Sequence, residues 1–473
     1  MATLGSEPTE NDSLESGKVE EVVEEPVYRR ESFAALRRIE IQEFCIITTI
    51  LTIWRAVDVV FDEVRVLNNV APRQLRVVTL NAWCLPQPWP IGSTDRVHRL
   101  NKIGEYMIEE LYDIVGLQEL WSYHDFVKLS EQCSSVYPYF HYFHSGFTGS
   151  GVCVFSRHPI VSTLTSRYSL NGFAHHIHRG DWFGGKVVGL TEVEIDGDLR
   201  VNFYTTHLHA EYDRENDLYL PHRTSQSFEL AQFVRHTSRS ADVVIVTGDL
   251  NMEPCDLGFR MILSHAKLFD AWRMSHEVEN DEADGGELLK HRGIAKGGTC
   301  DRPDNCYTKR ALKLADESKR IDYILFKSGR CNVKLEECEI TLNQIPGDER
   351  EMNYSDHVGL RARFTIDDRF RHERSVNTWE PNRPLLIEAI GIVSGGERRA
   401  RTDRIFFLIL AAICLILILG SLFFEVFPMG FAVLRFALTV LGVFFVWQGL
   451  IGLTLERKAL KAAKQAMQQI LNN

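Results

Sequence analysis

The sequence contains no Cys-x-x-Cys pair and no cysteine–histidine spacing of the kind that builds a structural zinc site, although it has ten cysteines. A zinc-organised fold is therefore excluded. No secretory signal opens the chain, so the thiols are expected to stay reduced in a cytosolic domain, with Cys300/Cys306 and Cys331/Cys338 as pairs that would close only in an oxidising compartment. Basic residues are also short. The chain carries 53 Lys and Arg against 64 Asp and Glu, a formal net charge of −11. It shows no stripe of positive charge, which argues against a dedicated nucleic-acid binder, whose affinity comes from neutralising phosphates. No internal repeat is found. What the 473 residues do have is 45% hydrophobic side chains, enough to pack a large body.

Along the chain, residues 1–28 form an acidic arm too polar to bury itself, with eight Asp and Glu against Lys18 in its first 25 positions. Residues 29–73 are amphipathic. Their apolar run from Phe44 to Trp54 is too short to cross a bilayer and reads either as a helix packed on the main body or as an interfacial segment. From 74 to 366 short β-type runs alternate with helical and turn stretches. Wholly apolar runs such as Val243–Thr247 suit strands covered on both faces, and LTEVEI alternates as a half-exposed strand does. The expected fold is an α/β sandwich of two sheets flanked by helices, interrupted by a polar, glycine-rich loop between Met274 and Lys319. A polar linker, 367–404, leads to two runs of twenty residues without a charge, 405–424 and 436–455. Each makes about 30 Å of helix, the thickness of a bilayer core. Arg398, Arg399, Arg401 and Arg404 precede the first run, and Arg457, Lys458, Lys461 and Lys464 follow the second, in the basic tail 456–473. The positive-inside rule then places the main domain and the C-terminus in the cytosol. Spans of this length suit the thinner endoplasmic reticulum or another internal membrane.

Four motifs sit where apolar runs give way to loops, a placement that favours function. LNAW carries Asn81, LQEL carries Glu119, GDLN carries Asp249 and Asn251, and SDH carries Asp356 and His357. His207 in THLH and Asp322 in RIDYI complete the set. Oxygen donors, amides and carboxylate-paired imidazoles together suit phosphoryl hydrolysis. A hard cation such as magnesium neutralises the phosphate, a histidine oriented by a carboxylate takes a proton from water, and neutral donors hold the phosphoryl oxygens. His175, His176 and His178 read as a loop at the lip of the site, not as metal ligands. Asp181 and Lys186, five apart, read either as an ion pair governing access of Asp181 to the site or as an exposed loop pair. Trp182 and Phe183 are candidates for lipid contact, and His209 for a supporting role.

LNAW, QE, THLH, GDLN, RIDYI and SDH together resemble the endonuclease/exonuclease/phosphatase superfamily, which has the fold of deoxyribonuclease I. The resemblance spans about 75–365. It implies that Glu119 binds Mg2+ with Asn81 beside it, and that His357 is the general base oriented by Asp322. It also implies that His207 and Asn251 contact the phosphate, that Asp249 positions or activates water, and that Asp356 supports the site. Within the superfamily, LNAWCLPQPW, LQELWS, HRGDWFGGKVVGLT, THLHAEY and GGTCDRPDNCY, followed by two spans, are similar to the membrane-anchored, magnesium-dependent neutral sphingomyelinases. The implied reaction is hydrolysis of sphingomyelin, a membrane lipid, to ceramide and phosphocholine. A phospholipase C acting on lysophosphatidylcholine or a lyso-ether lipid, a tethered nuclease and a non-catalytic scaffold are the alternatives. The sequence does not fix the oligomeric state.

Overall fold

The computed structural model describes residues 48–49, 52–55, 72–86, 92–276, 292–369, 371–372, 379–423 and 428–472. The chain forms two compact units, Met1–Val70 and Ala71–Asn473. The acidic arm lies outside the described residues, and of the N-terminal extension 48–49 and 52–55 are helical.

In the second unit the twelve strands are β1 (Arg73–Cys84), β2 (Ile114–Leu120), β3 (Tyr139–Tyr142), β4 (Cys153–Ser156), β5 (Ile160–Arg167), β6 (Val187–Ile195), β7 (Leu199–His207), β8 (Val243–Asp249), β9 (Phe269–Asp270), β10 (Asp322–Ser328), β11 (Asn332–Thr341) and β12 (Gly359–Asp367). They build two six-stranded sheets, ordered β11-β12-β1-β2-β4-β3 and β5-β6-β7-β8-β10-β9. β1 runs parallel to β2 and β7 parallel to β8, and the remaining pairs are antiparallel.

Strand periodicity of two decides what each sheet buries. Leu75 and Val77 of β1, Val201 and Phe203 of β7, Val243 and Ile245 of β8, and Ile324 and Phe326 of β10 point between the sheets into one core. The alternate residues Val78 and Leu80 pack beneath helices α1 (Arg96–Glu110) and α2 (Tyr123–Cys133). On the other side, Val244 and Val246 meet α3 (Leu220–Thr237) and α4 (Leu257–Ala266). The central strands β1, β2, β7, β8 and β10 therefore need apolar residues on both faces, which is why their sequence runs are so continuous.

The stretch read as a linker holds the start of α5 (Arg383–Ser421), a single helix of 39 residues that continues into the first apolar run. Asn382 caps it by accepting the Leu385 N–H at 3.3 Å, and Pro384 fills the first turn, where no N–H is needed. A second helix, α6 (Pro428–Trp447), returns alongside it. A π-helical turn, Gln448–Gly452, leads into α7 (Leu453–Asn472), so the basic tail is helical too. Leu385, Leu386, Ala389 and Val393 of α5 and Leu460 and Met467 of α7 form a fourth cluster with Phe228 of α3 and Met261 of α4. Both outer ends of the hairpin are thus fastened to the sandwich.

The middle of the hairpin is different. The most apolar stretches of its two helices are 17% and 0% buried, far too little for core helices of a soluble domain. Ile405, Phe406, Ile409 and Ile416 on α5, and Phe436, Val440 and Val443 on α6, present bare apolar side chains. At the far turn Arg435 donates through Nε to Ser421 Oγ and through Nη2 to Ser421 O, both at 2.8 Å, satisfying carbonyl and hydroxyl groups that a bilayer would leave unpaired. The two helices are long and apolar enough to cross a membrane.

Candidate active site

The same two-residue period that fills the core also places polar side chains at one end of it. In β1 the inward series Leu75, Val77, Thr79 ends in Asn81, and in β8 Val243, Ile245, Thr247 ends in Asp249. β7 ends its inward series in His207, and β10 begins its own with Asp322. Pairing of His207 with Asp249 across β7/β8, and of Asp249 with Asp322 across β8/β10, brings three of these side chains into one row. Asn81 meets them from the facing sheet, giving its Nδ2 hydrogens to Asp249 Oδ2 and Glu119 Oε1, both at 3.0 Å.

Glu119 belongs to the outward series of β2 by period. It reaches the site because its backbone adopts φ 57°, which turns the side chain round, just as Asn251 takes φ 49° after β8. Left-handed backbone is uncommon in residues other than glycine, and its occurrence at two motif positions marks strain held for function. Gly248 has φ 138°, and a Cβ there would lie 1.9 Å from Thr206 O, so β7 and β8 can lie side by side only with glycine at this position.

His357 Nδ1 hydrogen-bonds Asp322 Oδ2 at 2.8 Å, both side chains nearly inaccessible, leaving Nε2 as the nitrogen available for proton transfer. Burial alone lowers the His357 pKa, but contact with Cys300 and the Asp322 carboxylate outweighs it and raises the pKa well above the ordinary range. Asp249 is pushed up to about 7, by burial first and then by the nearby Asp322 carboxylate. Burial also raises Asp356 to about 6, and Asp356 accepts from Ser355 Oγ at 3.2 Å while that hydroxyl reaches Asn81 O at 2.6 Å. Asn251 donates its backbone N–H to Asp249 Oδ1 at 2.8 Å and its amide to Leu208 O at 3.0 Å.

His207 is held neutral, its pKa driven far down by burial and then by Lys186, whose Nζ lies 2.9 Å from His207 Nε2. Lys186 also donates to Leu208 O at 2.8 Å and pairs with Asp181 Oδ1 at 3.2 Å. The side chains of this pair are 1% and 10% exposed, so the surface-loop alternative does not hold. Tyr212 donates to the other oxygen of Asp181, and His209, stacked on Tyr219, faces it at 3.9 Å. Burial works against ionisation of Asp181, yet Lys186, His209 and Tyr212 together hold its pKa below the usual carboxylate value.

Two groups of side chains draw potential donor atoms within 4.8 Å of one another: Glu119, His207 and Asp249, and Asp249, Asp322 and His357. The residues fit a hard cation. Carboxylates converge from both sheets, with Asp249 and Asp322 buried and Glu119 half-buried, and Asp322 Oδ1 has no hydrogen-bond partner. His175, His176 and His178 belong to neither group. His175 instead meets Phe407 and Gln448 of the hairpin region, and His176 meets Tyr219.

All ten residues singled out in the sequence line this end of the sandwich or its loop. Three contributors were missed. Gln118 sits on the inward face of β2 and bridges Thr79 and Thr205, a position that the two-residue period could have revealed. Arg99, wholly buried, donates to Thr94 O, Ala82 O, Trp83 O and Tyr354 O, tying the end of β1 to the loop before His357. Cys300 pairs through its backbone with His357. Neither of these last two carries a signal in the sequence. The cysteines among the described residues are free.

A two-sheet sandwich with a cluster able to hold a cation and an Asp–His pair at one end is the architecture of a hydrolase of phosphate esters. The chain belongs to the endonuclease/exonuclease/phosphatase family, whose model matches residues 78–357. Over 465 residues, 98% of this chain and 99% of its relative, it is 84% identical to a Caenorhabditis elegans protein named "Putative neutral sphingomyelinase". It is 40% identical to Homo sapiens sphingomyelin phosphodiesterase 2 over 295 residues, which cover 62% of this chain and 65% of the human one. Among solved structures, D. rerio TDP2 with a single-strand DNA product is 16% identical, with a TM-score of 0.46, and covers 62% of this chain and 98% of that one.

Proposed function

We propose that the chain hydrolyses sphingomyelin to ceramide and phosphocholine at a membrane surface, with Mg2+ as its metal. The observation that carries this reading is the convergence of Glu119, Asn81, Asp249, His207 and the Asp322–His357 pair at one end of the sandwich. The substrate comes from the relatives, named as sphingomyelinases, and from the exposed apolar hairpin, which confines the body to a lipid surface.

In this reading His357 Nε2 takes a proton from water as the water oxygen attacks phosphorus, and Asp322 fixes the ring and stabilises its charged form. Asp249 orients the water. His207 and the Asn251 amide hold phosphoryl oxygens, and the ceramide oxygen takes up a proton as the phosphorus–oxygen bond breaks. Glu119 would hold the metal, with Asn81 beside it. When bound, the metal supplies charge that neutralises the phosphate and draws the raised pKa of His357 back toward the neutral form. Asp356 braces the loop bearing His357. The ion pair of Lys186 with Asp181 governs entry of Asp181 into the site. The catalytic body and the C-terminus face the cytosol, because arginines and lysines flank both outer ends of the hairpin, and spans of this length suit an internal membrane.

The test is phosphocholine release by detergent-solubilised protein, with and without Mg2+, from sphingomyelin, lysophosphatidylcholine and phosphatidylcholine, beside plasmid DNA and the His357→Ala variant. Magnesium-dependent release from sphingomyelin, lost in His357→Ala, is the expected result. Preference for the lyso lipid overturns the substrate, and cleavage of DNA alone overturns the reading.

A further inference from the structure

The loops beside the site bear large apolar side chains that stay exposed in the described chain. Phe147 is 90% exposed, Ile177 67% and Trp182 41%. An isolated exposed apolar residue needs no explanation, but three on loops that join one another do. The N–H groups of Phe147 and Thr148 donate to Phe183 O at 3.1 and 3.2 Å, and Gly185 N donates to Gly149 O at 2.9 Å, so the two loops form one ledge. The ledge borders the reaction centre. Its Gly184 abuts Trp121, whose ring lies 6.2 Å from that of His207.

The same ledge is fastened to the hairpin at a definite height. Trp182 meets Trp447, the last residue of α6, with ring centroids 6.0 Å apart, and His175 meets Phe407, two residues past Ile405 where the uncharged run of α5 begins, at 5.1 Å. Gln448 Nε2 lies 3.1 Å from His175 Nδ1. Phe407 stands at the near end of the first apolar stretch, and Gly449, two residues past Trp447, packs on Leu408 and the Arg404 carbonyl, so both contacts lie close to the arginine-flanked end of the hairpin, where hydrocarbon gives way to head groups. Arg179, Arg398 and Arg401 are exposed around this level and match the phosphates of such a boundary.

We propose that Phe147, Ile177 and Trp182 form a rim that enters the leaflet in which the hairpin stands, seating the catalytic mouth at head-group depth. Its partner is a lipid surface. Aromatic rings favour this zone because one edge remains wet while the body leaves water. The inference rests on the reading of the site as acting on a membrane lipid, and it assigns the side chains that bring site and substrate level. Because the hairpin alone keeps the protein on the membrane, the rim acts on the presentation of lipid and not on attachment.

The experiment uses the full chain in vesicles of sphingomyelin and phosphatidylcholine. Nitroxide labels are placed one at a time through Phe147→Cys, Ile177→Cys and, as a control on β9 away from the site, Phe269→Cys, with the exposed Cys306 replaced by Ser. Collision with oxygen, which partitions into lipid, should dominate at the two rim positions, and collision with a water-soluble nickel chelate at Phe269→Cys. Rim labels that behave like the control overturn the proposal whether or not the enzyme is active. In parallel, the triple variant Phe147→Ser, Ile177→Ser, Trp182→Ser should hydrolyse vesicle sphingomyelin about tenfold more slowly. It should cleave a water-soluble nitrophenyl phosphocholine at the parental rate. Equal loss on both substrates, or no loss on vesicles, refutes the rim. Absence of phosphocholine release from any lipid by the parent chain refutes the catalytic reading instead.

Discussion

Replacing Asp322 by Asn keeps the volume of the side chain and removes one charge from the partner of His357. In the parent the carboxylate oxygen lies 2.8 Å from His357 Nδ1, with both groups shielded from water. Unit charges about 4 Å apart interact by about 4 kcal/mol at the effective dielectric that suits such sites. That is equivalent to about 3 pKa units. The raised pKa of His357 should therefore fall in Asp322→Asn, and the ring loses the acceptor that fixes its tautomer. If half of the interaction reaches the transition state, turnover drops roughly 30-fold from basicity alone, and on the order of a hundredfold or more with the tautomer misplaced. The sign of the pH effect follows. A base is inactive while protonated, so lowering its pKa moves the acid limb of the pH–rate profile to lower pH while the plateau falls. Phosphocholine release followed from pH 5 to 9 at saturating Mg2+, beside a thermal melt that verifies folding, measures both. A folded variant within threefold of the parent, or an acid limb that stays in place as the plateau drops, would refute the assignment of Asp322 and His357 as a working pair.

Lys327 is buried on β10 with its ammonium donating to Ala266 O at 3.0 Å, and burial, then Arg235, pulls its pKa down to about 8. The unfolded chain binds the extra proton between about pH 8 and 10.5, so this group costs stability at neutral pH and the cost fades as pH rises through that window. Lys327→Met should accordingly be more stable than the parent at pH 7 by about 2 kcal/mol and gain little at pH 10, as seen by denaturant melts. Gly248→Ala drives a methyl into Thr206 O of the adjacent strand; it should cost on the order of 3–5 kcal/mol, read as loss of folded protein on expression. Arg99→Met orphans four carbonyls that brace β1 against the His357 loop. A loss of about 3 kcal/mol in stability, with reduced turnover in the surviving folded fraction, is expected, and a melt matching the parent would contradict it.

The sandwich was legible because wholly apolar runs such as VVIVTGD mark strands covered on both faces, and the two-residue period of a strand then fixes the face each residue takes. Asn81, His207, Asp249 and Asp322 could be placed on one side by that rule alone. Glu119 could not, since its position depends on a left-handed backbone turn that period does not encode. The segment before the first apolar run was read as linker because its arginines made it look polar. In the structure Leu385, Leu386, Ala389 and Val393 supply a buried stripe at helical spacing, and the charged residues occupy the rest of the surface. The helical tail has the same signal in Leu460, Ala463 and Met467, overlooked beside its lysines. Burial of Asp181 and Lys186 depends on contacts from Tyr212 and His209 across a different loop, which spacing within one loop cannot show.

The unbroken helix from Arg383 to Ser421, gripped by α3, α4 and α7, leaves no hinge between the catalytic body and the apolar hairpin. Seated in a bilayer as proposed, such a body would search an area and not a volume. Its encounters are set by how many substrate head groups share each patch of leaflet and by how fast they diffuse sideways, so stirring more vesicles into the suspension adds surface that a seated molecule never visits. Diluting the substrate within the leaflet with inert lipid slows it directly, and the natural concentration unit for this enzyme is a mole fraction of lipid.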